Sequence, residues 1–140
     1  IKLKIELKNN YSISSEKRPK SSELQKLFNQ TSWAKKRTLV GIQTLLENTR
    51  IFVTIRKNNI LIGYGRAISD GIYRALIDDI VIDENYQNKG LGKNILNILL
   101  EKLNGVDEIF LNTGEHLEVY YEKFGFEQAK CLTMKLKKNI

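Results

Sequence analysis

A short glycine-rich loop is the first place in this 140-residue chain where the residue types suggest chemistry. A strand-like run, residues 75–82, leads to Gln87-Asn88-Lys89-Gly90-Leu91-Gly92 and then to apolar residues at helical spacing. Glycine lets the backbone approach a ligand, and the first turn of a helix carries unsatisfied N–H groups and the positive end of its dipole. With the charges of Lys89 and Lys93, the loop predicts a socket for phosphate or pyrophosphate.

The loop does not match the two best-known nucleotide-binding patterns. It lacks the Gly-x-x-x-x-Gly-Lys-Ser/Thr sequence of a P-loop, and Ile95 stands where Gly-x-Gly-x-x-Gly requires its third glycine. The residues therefore favour a phosphate-bearing ligand of another class. A tight strand-to-helix connection without any ligand is the alternative that the loop alone leaves open.

Two separate motifs resemble those of the GCN5-related N-acetyltransferases. Gln87 to Gly92 fits that family's acetyl-CoA pattern, Gln/Arg-x-x-Gly-x-Gly/Ala, and residues 120–126, Tyr-Tyr-Glu-Lys-Phe-Gly-Phe, resemble its Tyr-x-x-x-Gly-Phe pattern about thirty residues later. The resemblance covers roughly residues 50–137. Within the family, residues 63–71 and the strand after them look most like cyanobacterial and plastid-encoded acetyltransferases and plant chloroplast serotonin N-acetyltransferases.

The resemblance implies acetyl-CoA as co-substrate, bound without a metal. The pyrophosphate would lie on the amides of the glycine loop, and the pantetheine arm would pair with the preceding strand, where that strand and the next one splay apart in a V. The implied cofactor-binding residues are Ile80, Val81, Ile82, Gln87, Asn88, Lys89, Gly90, Leu91, Gly92, Lys93, Asn112 and Tyr121.

Acetyl transfer to an amine requires a proton acceptor. An alkylammonium with a pKa of about 10.4 is neutral in only about one molecule in 10³ at pH 7, so a positioned base contributes substantially. Asp79 is the predicted base, because it lies beside the acetyl-CoA strand and resembles an acidic position of the plastid-type enzymes. Asp78 is the second candidate, although strand alternation sends it to the opposite face. The alternative for Asp79 is a structural ion pair with a Lys or Arg.

The departing CoA thiolate requires a proton donor, and Tyr121 matches the family's general-acid tyrosine. A tyrosine (pKa about 10) is a weaker acid than a thiol (about 8.5), so free proton transfer is uphill by about 2 kcal/mol. Tyr121 would therefore act as a positioned hydrogen bond while charge develops on sulfur, with aromatic packing as the alternative. Tyr120 is predicted to pack against Phe124. Trp33 is assigned either to the acceptor side or to packing.

The periodicity of apolar residues predicts the elements that would position these groups. We expect a single domain of the α+β class, with a mixed central sheet flanked by about four helices and its acetyl-CoA core at about residues 50–137. Cys131 would be a small core residue of the last strand. Strands are expected over 1–8, 51–56, 60–68, 75–82, 108–112 and 126–137, and helices from Ser21 or Ser22, over about 35–48, from Leu91 and over 115–124.

The charge of the chain suggests an alternative function. The formal net charge is +7 at pH 7, and residues 1–40 carry all of it, with ten Lys/Arg against three acids, whereas residues 41–140 carry thirteen of each. A basic module for RNA or the ribosome, or a non-catalytic CoA-binding protein, is therefore the alternative to an N-acetyltransferase. Nucleic acid is not favoured, because no RNP-like or helix-turn-helix pattern accompanies the charge.

The sequence also indicates which partners to expect. No run of 18 apolar residues predicts a membrane span, and the expected partner is an amine, either a small molecule such as an arylalkylamine or a protein lysine or N-terminus. A homodimer is expected by analogy with the family.

Ile, Lys and Asn, whose codons are rich in A and T, supply 17, 17 and 13 residues. This bias favours the plastid stroma, with a bacterial cytoplasm as the alternative.

Overall fold

The computed structural model describes residues 4–7 and 10–139, and in this part of the chain six strands form one sheet. Neighbouring strands are antiparallel except β5 and β6, which are parallel. The mixed α+β sheet flanked by four helices is confirmed. The strands, in both chain and sheet order, are β1 Lys4–Leu7, β2 Tyr11–Ser14, β3 Ile51–Lys57, β4 Ile60–Ser69, β5 Arg74–Ile82 and β6 Glu108–Leu111. The helices are α1 Ser21–Phe28, α2 Leu39–Glu47, α3 Leu91–Lys102 and α4 Glu118–Glu122.

Helices cover both faces of the sheet, and each face has its own apolar core. On one face α3 buries Leu91, Ile95, Ile98 and Leu99, a spacing of i, i+4, i+7 and i+8 that forms one stripe of the helix. On the other face α1 and α2 pack together over β3, β4 and β5. The buried residues of that second core include Leu24, Leu27, Phe28, Ile42, Leu46, Phe52, Leu61, Tyr64 and Val81.

The end of β5 lies free of β6 and contains a bulge. Pairing with β6 stops at Ile77, so residues 78–82 have no described strand on that side. On the β4 side the register shifts, because Arg66 pairs with Asp78 whereas Tyr64 pairs with Val81. Asp79 and the residue after it therefore face a single residue of β4, and Asp79 takes a φ of 55°.

The bulge overturns one expectation drawn from strand alternation. Asp78 and Asp79 were expected on opposite faces of the sheet, yet both carboxylates contact the guanidinium of Arg66, at 3.6 Å and 2.7 Å. An extra residue inserted in one strand breaks the period of two, so adjacent side chains can lie on the same side.

A close approach between the sheet and α3 requires glycine at position 65. A Cβ built on Gly65 would lie 2.5 Å from Cγ2 of Ile95 and 3.2 Å from Cγ1 of Ile80. We expect Gly65→Ala to lower the free energy of unfolding by about 2 kcal/mol, because the buried Ile95 methyl must move within a packed core. Chemical denaturation measures this change. Gly105→Ala is the control, since a Cβ there meets nothing within 4 Å, and equal stability of the two variants would contradict the prediction.

The two ends of the chain differ from the predicted elements. The expected strand over residues 1–8 is seen as β1, with residues 1–3 and 8 outside the described part. Asn10, with a φ of 64°, then turns the chain into β2, which the sequence did not predict.

The predicted strand over 126–137 is absent from the structure, which shows no regular secondary structure there. Alternation can predict where the side chains of a strand would point, but a strand exists only where its backbone pairs with a neighbour. Cys131 is exposed rather than in the core, as are Leu132, Met134 and Leu136. Within the described residues, no helix has the length and apolar character needed to cross a membrane.

Candidate functional site

The glycine loop presents free backbone N–H groups to open space. Gly90 is the N-cap of α3 with a φ of 79°, and no side chain caps the helix. The N–H groups of residues 91–93 have no acceptor among the described residues, and a Cβ on Gly90 would meet nothing within 4 Å. Asn88 also has a positive φ, 61°. Because these donors stand at the positive end of the α3 dipole, the loop fits a phosphate or pyrophosphate.

The side chains of the glycine loop point into solvent, into the core or back to β5, so its backbone N–H groups are the main donors toward a ligand. Lys89 and Lys93 are exposed, so their charges lie in solvent around the socket, whereas Leu91 is buried beneath α3 and offers only its N–H group. The side-chain amide of Gln87 folds back and donates to the carbonyl of Ile82 at 3.2 Å. This bond ties the loop to the end of β5.

Tyr120 reaches the glycine loop, a position that the sequence did not predict. Its ring packs against Phe124 as expected, with centroids 5.3 Å apart. Its hydroxyl, however, lies 4.0 Å from where a Cβ of Gly92 would stand, and Cγ1 of Ile82 lies at the same distance. Burial raises the pKa of Tyr120 above its ordinary value, so the phenol stays a hydrogen-bond donor at neutral pH.

The free edge of β5 offers backbone groups at two of the three predicted positions. The amide of Asp83 donates to a carbonyl of β4. Since alternate residues of a strand direct their backbone groups to opposite sides, Val81 also faces β4, whereas Ile80 and Ile82 face the side that β6 has left. The side chain of Val81 is buried under α1 and α2. An extended ligand could therefore pair with Ile80 and Ile82, and the structure turns Val81 away from it.

Asp79 is fully buried between two arginines. Its Oδ2 accepts hydrogen bonds from Arg37 at 2.9 Å and from Nε of Arg66 at 2.7 Å, while its Oδ1 is buried without a partner. The Arg37 guanidinium also lies over the rings of Phe28 and Trp33, 4.8 Å and 5.8 Å from their centroids. The alternative stated for Asp79, an ion pair, is thus present. Sequence reasoning missed both arginines, which lie 42 and 13 residues away along the chain.

Tyr121 and Asn112 line one cavity. This cavity of about 410 Å³ lies between β6, α4 and residues 126–133. The ring of Tyr121 packs edge-on against Phe126, with centroids 6.1 Å apart. Burial and the neighbouring Tyr120 raise the pKa of Tyr121, which keeps its proton in place but makes full transfer to sulfur more uphill. At neutral pH the Tyr121 phenol therefore stays protonated and can donate a hydrogen bond.

Trp33 lies beside the Asp79 cluster. It is about half exposed (53%), with its ring edge-on to Phe28 and 5.8 Å from the Arg37 guanidinium carbon. Among the described residues, no group of three or more His, Cys, Asp and Glu side chains is arranged to hold a metal ion.

The chain is similar in sequence to known acetyltransferases. A family model described as an acetyltransferase (GNAT) domain matches residues 20–135. The N-acetyltransferase ycf52 of Pyropia yezoensis, named as uncharacterized, is 33% identical over 129 residues, which are 88% of this chain and 73% of that protein. The chloroplastic GCN5-related N-acetyltransferase 1 of Arabidopsis thaliana is 30% identical over 95 residues, 65% of this chain and 48% of that one.

The fold is similar to that of a solved structure. A crystal structure from meticillin-resistant Staphylococcus aureus, described as a probable acetyltransferase, superposes with a TM-score of 0.80 at 23% identity. The match covers 91% of this chain and 99% of that one.

Proposed function

Because the chain belongs to the acetyltransferase (GNAT) domain family, we propose that it transfers the acetyl group of acetyl-CoA to a primary amine bound beside the bulge at Asp79. The observation that carries this proposal is the free end of β5, which lies between the uncapped glycine loop and the buried carboxylate of Asp79. An extended ligand anchored at the loop and lying along that edge would reach the bulge.

The residues present fit acetyl-CoA. The N–H groups of the glycine loop, Gln87 to Lys93, would hold the pyrophosphate, with the hydroxyl of Tyr120 beside them. The backbone groups of Ile80 and Ile82 would hold the pantetheine arm as a neighbouring strand would. Acetyl-CoA supplies the acetyl group as a thioester.

Two side chains would assist the transfer, Asp79 by accepting a proton and Tyr121 by a hydrogen bond. Asp79 takes a proton from the ammonium, so that the nitrogen gains a free electron pair and can bond to the acetyl carbon while the carbon–sulfur bond breaks. Tyr121 donates a hydrogen bond to the sulfur as negative charge develops there. The proton on Asp79 and the second proton lost by the nitrogen then pass to solvent or to the thiolate, which leaves an amide and a thiol.

We predict that Tyr121→Phe lowers kcat by about tenfold, because a thiolate is a moderately good leaving group and loses only one hydrogen bond. The affinity for acetyl-CoA should change little. Tyr120→Phe is the matched control, since it removes the neighbouring hydroxyl, which lies at the glycine loop. We expect that control to weaken acetyl-CoA binding and to spare kcat. Steady-state kinetics and calorimetry separate the two effects, and unchanged kcat in Tyr121→Phe would remove Tyr121 from the chemistry.

The function is tested by calorimetric titration with acetyl-CoA and by thiol release over a panel of amines. The panel holds an arylalkylamine such as serotonin, a lysine-containing peptide and a peptide with a free N-terminus. Binding followed by amine-dependent thiol release supports the proposal. Binding without release for any amine would favour a non-catalytic CoA-binding protein. Tight RNA binding at 150 mM salt would favour the basic module if acetyl-CoA did not bind, because purely electrostatic contacts weaken steeply as the salt concentration rises.

The location and assembly of the protein are part of the same proposal. We propose the plastid stroma, because the relatives include a chloroplastic acetyltransferase of Arabidopsis thaliana and ycf52 of Pyropia yezoensis, and because the composition favours an AT-rich source. A homodimer stays a prediction, to be checked by light scattering.

A further inference from the structure

We propose that Arg37 occupies the position of the acceptor's ammonium group, so that the acceptor is a primary alkylammonium with an apolar or aromatic body that enters by displacing Arg37 from Asp79. This inference rests on the proposed function and names its substrate class. It makes Arg37 an internal competitor of the substrate rather than a catalytic residue.

The surroundings of the Arg37 guanidinium are those that an organic ammonium requires. A carboxylate oxygen of Asp79 lies 2.9 Å from its Nη1, and the rings of Phe28 and Trp33 lie 4.8 Å and 5.8 Å from its central carbon. Aromatic faces attract cations, and a buried carboxylate needs a cationic partner. The same surroundings would suit an acceptor that carries a positive charge beside an apolar or aromatic group.

Of the two arginines on Asp79, Arg37 is the one that can leave. Arg66 belongs to β4 in the middle of the sheet, its side chain is 14% exposed, and it also contacts Asp78. Arg37 lies in the connection between α1 and α2, and its side chain is 33% exposed. Solvent therefore reaches Arg37, and its departure would open a path to the carboxylate.

The hydrogen bonding of Asp79 is incomplete while Arg37 is in place. Both arginines donate to Oδ2, and Oδ1 is buried without any partner. An unpaired buried oxygen is costly. An ammonium group has three donors on one nitrogen, so it could bond to both oxygens of the carboxylate. The substrate would thus satisfy an atom that Arg37 leaves unsatisfied.

The charges around Asp79 also favour a cationic acceptor over a neutral one. Arg37, Arg66, Asp78 and Asp79 carry two positive and two negative charges, and exchanging Arg37 for an ammonium keeps this balance. A neutral acceptor in its place would leave a net negative cluster, partly buried. Alkylamines are almost wholly ammonium at pH 7, so the form that binds is the abundant one.

The test uses Trp33, the sole tryptophan of the chain, as a fluorescent reporter next to Arg37. The full chain is titrated with 2-phenylethylamine and, as a neutral probe of the same shape, with 2-phenylethanol, in the wild type and in Arg37→Gln and Arg37→Lys. Arg56→Gln is the matched control, because Arg56 forms an ion pair with Glu23 away from Asp79.

We expect Arg37→Gln to bind 2-phenylethylamine about tenfold more tightly than the wild type, since the amine no longer competes with a charge-assisted hydrogen bond. Arg37→Lys, which keeps a competing cation, and Arg56→Gln should bind it as the wild type does. The alcohol should bind more weakly than the amine in every protein. In turnover, Arg37→Gln should lower KM for cationic amines.

Weaker binding of the amine by Arg37→Gln would overturn the inference, because Arg37 would then help to hold the acceptor. Equal binding of amine and alcohol by the wild type would overturn it too, and this comparison decides the matter if Arg37→Gln does not fold. Because fluorescence titration needs no turnover, tight amine binding without acetylation would leave the inference standing while the proposed function fails. If the protein acetylates amines but Arg37→Gln binds 2-phenylethylamine no more tightly than the wild type, the proposed function stands and the inference about Arg37 fails.

Discussion

Replacement of Gly90 by valine is expected to weaken acetyl-CoA binding by about a hundredfold. The glycine is the N-cap of α3, and its backbone borders the free N–H groups of residues 91–93. A side chain at this position would stand in the open space in front of the loop, where the pyrophosphate is proposed to lie. Losing two charge-assisted hydrogen bonds, at about 1.5 kcal/mol or more each, corresponds to about two orders of magnitude in affinity.

Backbone strain is the competing explanation, and Gly125→Val controls for it. Gly125 also has a positive φ, 92°, and a Cβ there also meets nothing within 4 Å. Both variants should therefore lose similar stability, about 1–2 kcal/mol for a β-branched residue in the left-handed region. Only Gly90→Val should lose affinity, measured by calorimetry. Equal affinity in Gly90→Val and the wild type would place acetyl-CoA elsewhere, and equal losses in both variants would assign the effect to strain.

Elements whose conformation depends on residues close together in the sequence were predictable. The loop and α3 follow each other directly, so the glycine spacing and the apolar stripe from Leu91 to Leu99 predicted both the element and its exposed N-terminus. The hairpin of β3 and β4 was similarly local, with Asn58 and Asn59 in the left-handed turn. In such cases the local conformational preference and the final fold agree.

Residues whose role depends on register were not predictable. The bulge at Asp79 arises from the register of β5 against β4 beside Gly65, and a single sequence carries no signal for the shift in pairing. It changed which acids share Arg66 and brought Arg37 to the same carboxylate. Tyr120 at the loop likewise depends on the placement of α4, a short helix whose position is set by tertiary packing.

Near the end of the chain, the sequence pattern predicted a strand that the structure does not show. Residues 132–137 alternate as a strand would, and the free edge of β6 lies beside the segment 126–133, yet the structure shows no pairing there. Leu132 and Met134 stay exposed. An alternating pattern states a preference for a half-buried surface, and it cannot supply the backbone partner that makes a strand.

Replacement of Asp79 by asparagine is expected to lower kcat by about a thousandfold, because the amine then has no positioned proton acceptor. Asparagine has nearly the same shape and can still accept a hydrogen bond from Arg66. The lost charge should also lower the free energy of unfolding by about 2 kcal/mol, since Arg37 is partly solvated and Arg66 keeps Asp78 as a partner. Acetyl-CoA should bind as before, because its proposed contacts are backbone groups of the glycine loop and of Ile80 and Ile82, and the substitution changes only the side chain of Asp79.

Asp78→Asn makes this prediction decisive, since the two acids are neighbours that share Arg66. The Asp78 side chain is 41% exposed and its contact with Arg66 is long, 3.6 Å, so its removal should change kcat by less than about tenfold if Asp79 is the base. Single-turnover kinetics with bound acetyl-CoA measure the chemical step for both variants. The reverse order of effects would assign the base to Asp78. Small effects in both would leave water as the proton acceptor, with Asp79 serving only to anchor the two arginines.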